Sequence, residues 1–233
     1  MKFESRLAER ISAKKEAGKQ WKTYASLAGI VFIVLTLTSS TTAVPQAVVH
    51  LGSQGSVAKH LGQLEGKANV VMFGLSGPED WICMKVPFKG RVSDLESISF
   101  AIFLAGTGGQ VEREPYVVLK LAEGRSLVCK AEDSYSADAW SLPYLNWQER
   151  DFVSDGEWTA EPADTQMPAE QLDVWKGSMG DIGVPCIYVC VGPWDITSPY
   201  QCYIGELAVN GKAIDLANAG RLTGPSKDLP PWF

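Results

Sequence analysis

The chain is predicted to be all-β, an antiparallel β-sandwich of the jelly-roll kind preceded by an N-terminal signal or anchor helix. Three observations predict this. From Val70 onward, short apolar runs rich in Val, Ile, Phe and Tyr recur between turns built from Gly, Pro and Asn. No convincing helical pattern separates them, which disfavours alternating βα architectures such as a Rossmann fold or a TIM barrel. Upstream, Thr23 to Ala58 contains no Asp, Glu, Lys or Arg and includes the almost purely apolar "LAGIVFIVLTL" of Leu27 to Leu37.

The N-terminus explains that last feature. Residues 1–22 are basic, with seven Lys/Arg against three Glu. A basic segment followed by an apolar run reads as a secretion signal or a signal anchor. The hydrophobic segment is 23–43. Thr41 and Ala43 have the small-residue spacing of a signal-peptidase site, and cleavage after Ala43 releases a secreted protein. Without cleavage, residues 24–43 have about the roughly 20-residue length of a membrane span. Either reading exports the rest of the chain to the cell surface or beyond, and the membrane is a partner only through this segment if it is uncleaved.

The exported body carries a net charge of -10, from 14 basic and 24 acidic side chains. Such a surface repels phosphate backbones, so nucleic acid is excluded as a partner. Residues 44–69 read as an N-terminal extension or donor-like segment, with "VPQAVVHL" as a first strand or a tether. Residues 70–233 form the sandwich. In "ESISFAIFLA", Ile98, Phe100, Ile102 and Leu104 share one bulky apolar face, as a strand with one side in the core requires. The opposite face, with Ala101 and Phe103, is small and mixed, as for a partly covered outer side. Residues 131–183 differ: they hold Trp140, Trp147, Trp158 and Trp175 among many carboxylates, and read as a long acidic connection at one end of the sandwich. After it, "VPCIYVCV" crosses "GPWDITSP" to "YQCYIGELAV", and Asn210-Gly211 between apolar runs predicts a tight hairpin into "KAIDLA".

Catalytic signatures are missing. "GTGGQ" does not open a helix, so it is a turn and not a phosphate cradle. His50 and His60 are the only histidines, and both lie in the least strand-like part of the exported chain, where no Ser-His-Asp triad is expected. Glu170 and Asp173 lack the same-face spacing of a glycosidase pair. The chain is therefore read as a non-enzyme, with a glycan-active hydrolase as the remotest alternative. Asp151, Asp155 and Glu157, clustered around Gly156, are either a solvated acidic loop or ligands to calcium, which takes oxygen donors from loops. No other cofactor is expected. Trp194, between Pro193 and Asp195, is the best exposed candidate for stacking on a ligand.

Five cysteines follow the export segment, without a C-x-x-C pair, so disulfides are favoured over zinc. "VPCIYVCV" is expected to pair back through "GPWDITSP" onto "YQCYIGELAV" as one hairpin, which sets Cys190 opposite Cys202. That disulfide is expected first, and Cys83 to Cys129 second.

From "VEREPYVVLKLAEGRSLVCK" to "GVPCIYVCVGPWDITSPYQCYIGELAVNGKAID", within Val70 to Ala217, the chain resembles carbohydrate-binding modules and laminin-G-like jelly rolls, in which a strand ending in Val-Asn-Gly closes the sandwich. The resemblance implies a fold more than a function. In outline the chain is also similar to the subunits of archaeal cannulae, extracellular tubes: an apolar "VPQAVVHL", acidic loops and an apolar terminal "LPPWF". That resemblance implies calcium binding and strand exchange between neighbours. The leading expectation is a self-assembling subunit of an extracellular or cell-surface tubule, filament or adhesin, partnered by copies of itself or other surface subunits. A carbohydrate-binding surface protein is the alternative.

Overall fold

A computed structural model describes residues 44–52, 54–105, 114–130, 146–161, 168–194, 196, 199–219 and 229. The expected signal or anchor segment, "GTGGQ", Trp140 and the last four residues lie outside the described residues. Among the described residues no helix is long and apolar enough to cross a membrane.

The strands, in chain order, are β1 (Val48–Leu51), β2 (Val57–His60), β3 (Gln63–Leu64), β4 (Lys67–Ala68), β5 (Val71–Leu75), β6 (Ile82–Arg91), β7 (Ile98–Leu104), β8 (Tyr116–Lys120), β9 (Ser126–Cys129), β10 (Gln148–Asp151), β11 (Glu157–Glu161) and β12 (Glu170–Gln171). A helix, α1 (Leu172–Met179), precedes β13 (Gly183–Val191), β14 (Tyr200–Val209) and β15 (Lys212–Ala213). Two antiparallel sheets form the predicted sandwich. The larger runs β1-β6-β13-β8-β9-β11-β12; the smaller runs β10-β7-β14-β5-β2, with β15 added beside β14.

The core lies between them. On β7 the predicted inward residues Ile98, Phe100, Ile102 and Leu104 are all buried, opposite Met84 and Val86 of β6 and Ile187 and Val189 of β13 in one apolar cluster. The larger sheet is covered on its outer face too. There Cys83, Tyr116, Val118, Cys186, Tyr188 and Cys190 pack with Trp81 and Leu229 in a second cluster. A strand buried on both sides has no polar face to show, and β13 accordingly reads "GVPCIYVCV" with no charge.

The Asn210-Gly211 turn forms as its sequence predicts, both residues at positive φ, 49° and 69°, joining Val209 to its partner Lys212. Asn210 does more than turn. Its Oδ1 accepts from the backbone N–H of Glu96 and Ser97, at 2.9 and 3.2 Å, and its Nδ2 donates to the carbonyl of Asp94 at 2.7 Å. The hairpin tip is thereby tied to the start of β7. Asn210→Ala loses all three bonds and puts a Cβ-bearing residue with no compensating side-chain bond at positive φ, so it is expected to cost about 2 kcal/mol in a denaturant titration; Asn210→Gly, which keeps the turn, costs about half that.

Three expectations are corrected. First, β13 and β14 do not pair as a hairpin. Their connection crosses from one sheet to the other: β13 lies between β6 and β8, while β14 lies between β7 and β5. Second, residues 131–183 are not only a connection. They supply β10 to the smaller sheet, β11 and β12 to the larger, and α1, whose Leu172, Trp175 and Met179 are buried at helical spacing. Third, "VPQAVVHL" is neither a tether nor a donor-like extension but holds the first strand, the other alternative. Val48 to Leu51 pair with β6 of the same chain, and Ala47 N–H donates to Asp215 O while Asp215 N–H donates to Pro45 O, at 2.8 and 2.7 Å.

Candidate functional site

The outer face of the smaller sheet carries a row of aromatic rings. On β14 the inward residues are Tyr200, Cys202 and Ile204, so Gln201 and Tyr203 point outward. Tyr203 is directly opposite Phe103 on β7 and Met72 on β5. Trp147 precedes Gln148, the first residue of β10, which pairs with Ile102; it therefore arrives beside Phe103 on the same face. The Phe103 and Trp147 rings are 5.4 Å apart and tilted by 57°, and those of Phe103 and Tyr203 are 5.6 Å apart, edge to face. Such offsets suit the ring quadrupoles and hold the three as one unit. Phe103 is buried at its centre, while Trp147 and Tyr203 are half-exposed on either side.

Polar groups border this platform. Gln201 Nε2 donates to Tyr203 Oη at 2.5 Å. The indole Nε1 of Trp147 is buried and has no acceptor among the described residues. At the Trp147 end, Lys67 Nζ bridges Glu149, at 2.8 Å, and Glu206, at 2.6 Å. A register shift in β14 between Gly205 and Ala208 turns Glu206 to a φ of 53°, a bulge that re-aims its carboxylate at Lys67. The hydrogen bond from Lys67 holds the Glu149 carboxyl below its usual range, and the bond to Glu149 raises the lysine in turn. Gly205 is the floor under Trp147. A Cβ there would come within 3.3 Å of Val70, 3.4 Å of the indole and 3.5 Å of Lys67, so the absence of a side chain lets Trp147 settle onto the sheet.

A second polar group lies inward of this face. Arg150 is opposite Phe100 on β7, which faces the core, and its Nη2 stands 3.5 Å from Glu114 Oε1. The Glu114 side chain is 1% exposed, and its Oε2 has no hydrogen-bond partner among the described residues. Burial pushes the Glu114 carboxyl up to about 7, against the pull of Arg150.

Trp194 is half-buried against both apolar clusters. Its ring meets Tyr200 edge to face at 4.9 Å and Tyr116 at 6.5 Å, while Tyr116 Oη donates to Gly192 O at 2.8 Å. Part of its surface is packed on the core and part faces outward. The calcium candidates do not converge. Asp151 Oδ1 accepts from the N–H groups of Ile98 and Val153, Asp155 Oδ1 accepts from Ser154 Oγ, and Glu157 sits on β11 opposite Gln171. Among the described residues no three His, Cys, Asp or Glu side chains are placed to hold a metal.

The expected cysteine pairs are corrected as well. Cys190 and Cys202 lie in different sheets, because the connection between them changes layer. Cys83 faces the second apolar cluster and Cys129 the first, on opposite sides of the larger sheet. No S–S bond joins either expected pair, and the two sulfurs that do approach each other are those of Cys83 and Cys190, 2.8 Å apart.

Sequence reasoning missed the platform and the Glu114–Arg150 pair. Period-2 alternation placed Phe103 on the outer face of its strand and could have placed Tyr203 likewise, but only the pairing of β10 with β7 brings in Trp147. No protein-family model and no curated protein matches the chain. Among solved structures it is similar to SGBP-B from a complex xyloglucan utilization locus in Bacteroides uniformis, at 13% identity and a TM-score of 0.31, over 68% of this chain and 45% of that one, so that it spans less than half of that chain's length.

Proposed function

We propose that the chain is a non-catalytic, exported carbohydrate-binding protein whose ligand lies on the Trp147–Phe103–Tyr203 platform. The observation that carries this is the row of three coupled rings on one outer sheet face. A sugar ring offers an apolar C–H face for stacking and hydroxyls around its rim, and the platform answers both. Trp147 and Tyr203 supply the stacking surface; Gln201 and the Tyr203 hydroxyl supply donors and acceptors at its edge. The Lys67, Glu149 and Glu206 group adds charged rim contacts. An acidic body suits a neutral polysaccharide better than an anionic one.

The assembly reading rested on an extended terminus available to a neighbour. Val48 to Leu51 already pair within the chain, which supports the binding reading over strand exchange.

Affinity gel electrophoresis against a panel of soluble polysaccharides tests the proposal. At least one neutral glycan should retard the wild-type chain. Trp147→Ala should weaken that binding tenfold or more, a loss of about 1.4 kcal/mol, with an unchanged far-UV spectrum. Trp194→Ala should leave the affinity within about twofold, well under 1 kcal/mol on the same scale. A chain retarded by no glycan, or a Trp147→Ala variant that binds as wild type, removes the platform as a sugar site.

A further inference from the structure

We propose that Cys83 and Cys190 form a disulfide that staples β6 to β13 across the middle of the larger sheet. The two are direct partners in the antiparallel register, so their Cβ atoms are within the roughly 4.5–5.5 Å of opposed cross-strand residues. Their sulfurs stand 2.8 Å apart. Closing to the roughly 2.05 Å of an S–S bond brings the sulfurs about 0.75 Å nearer and draws the Cβ atoms in to about 3.5–4.5 Å.

No other pairing has this geometry. Cys129 and Cys202 both face the interior but belong to different sheets. Cys186 shares the outer face with Cys190 but lies four residues along the strand, roughly 13 Å away at about 3.3 Å per residue. It is opposite Pro87 and Lys120. A metal does not compete for the pair either. His50 is the register partner of Cys83 on β1, yet among the described residues no group of three His, Cys, Asp or Glu is positioned as a metal set.

The chemistry is a two-electron oxidation. Both S–H bonds break and one S–S bond forms, while two electrons and two protons pass to a disulfide oxidant, which leaves as two thiols. Both cysteines are fully buried beneath Trp81, Tyr116 and Leu229. Exchange must therefore occur before this cover is in place, and the finished bond is shielded from small reductants. The bond joins positions 107 residues apart, a long loop whose closure restricts the unfolded chain strongly.

The test refolds the full chain in a mixture of oxidised and reduced glutathione, blocks remaining thiols with N-ethylmaleimide in denaturant, and maps the peptides without reduction. A peptide pair linked through Cys83 and Cys190, with Cys129, Cys186 and Cys202 alkylated, is the expected result. The thermal midpoint of this protein should fall by roughly 5–15 °C when unfolding is run in dithiothreitol, and that of a Cys83→Ala, Cys190→Ala variant should not respond to it. Alkylation of both Cys83 and Cys190 in the refolded protein, or linkage of either to another cysteine, overturns the proposal. The wild-type peptide map decides this even if the double variant fails to fold.

Discussion

Trp158→Ala is expected to destabilise the sandwich by about 4 kcal/mol, the largest loss from any single truncation considered, read as a lower urea midpoint at unchanged slope. Trp158 is fully buried and joins three parts of the chain. Its indole Nε1 donates to Phe152 O at 3.0 Å, its own carbonyl accepts from Trp175 Nε1 at 2.8 Å, and Phe152 stacks on Phe100 of β7 with centroids 4.7 Å apart. Truncation leaves a cavity between the sheets and a buried carbonyl at Phe152 without its donor. Trp158→Phe separates the two costs. It refills most of the volume, so its smaller loss of about 1–2 kcal/mol reports the missing hydrogen bond. If the two variants were equally destabilised, the hydrogen bond rather than the packing would dominate.

Glu114 should give the chain a stability that declines with pH. Its folded-state pKa, about 7, is raised above the ordinary 4.5 by burial, so the native state holds a proton that the unfolded state releases. The contribution is complete below about pH 4.5, and is lost as pH rises through about 7; a gap of about 2.5 pK units corresponds to about 3 kcal/mol. The groups that face it are Arg150, 3.5 Å away, and Tyr200 and Cys202 of β14, whose own protons burial holds on. Neither competes for the window. Glu114→Gln removes the titration. At pH 4 it should match the wild type, and at pH 8 it should be more stable by up to about 3 kcal/mol. Arg150→Met removes the one group that lowers the Glu114 pKa, so the decline should reach further above pH 7. Parallel urea midpoints across this range, wild type and Glu114→Gln alike, would show that Glu114 is not the group responsible.

What the sequence made legible was local. The alternation of β7 predicted its buried face because a strand sorts side chains with a period of two, whatever its partner. Asn210-Gly211 predicted a turn because both residues tolerate positive φ. The errors came where distance in sequence misled. Cys190 and Cys202 were matched by assuming that consecutive strands pair, but Gly192 to Pro199 is long enough to change sheets, and that one crossing misdirected the disulfide as well. Helix α1 has eight residues, only three of them on its buried face, too short a pattern to separate from a loop. Trp147 reaches the platform through a pairing with β7 that begins more than forty residues earlier. Arg150 stood out as the only base among the acids from Glu149 to Asp173, yet nothing local showed it turning toward the core and Glu114.

The strand order has a consequence for how the protein is made. β6 waits for β13, whose Cys190 emerges 107 residues after Cys83, and the first bridge of the sandwich, Gln46 to Asp215, spans 169 residues. An N-terminal fragment released early from a ribosome holds β1 beside β6 but lacks β13, the partner on the other side of that strand. Chains dominated by such distant pairings fold slowly, so a polypeptide moving N-terminus first would complete neither sheet until β13 and β14 were synthesised.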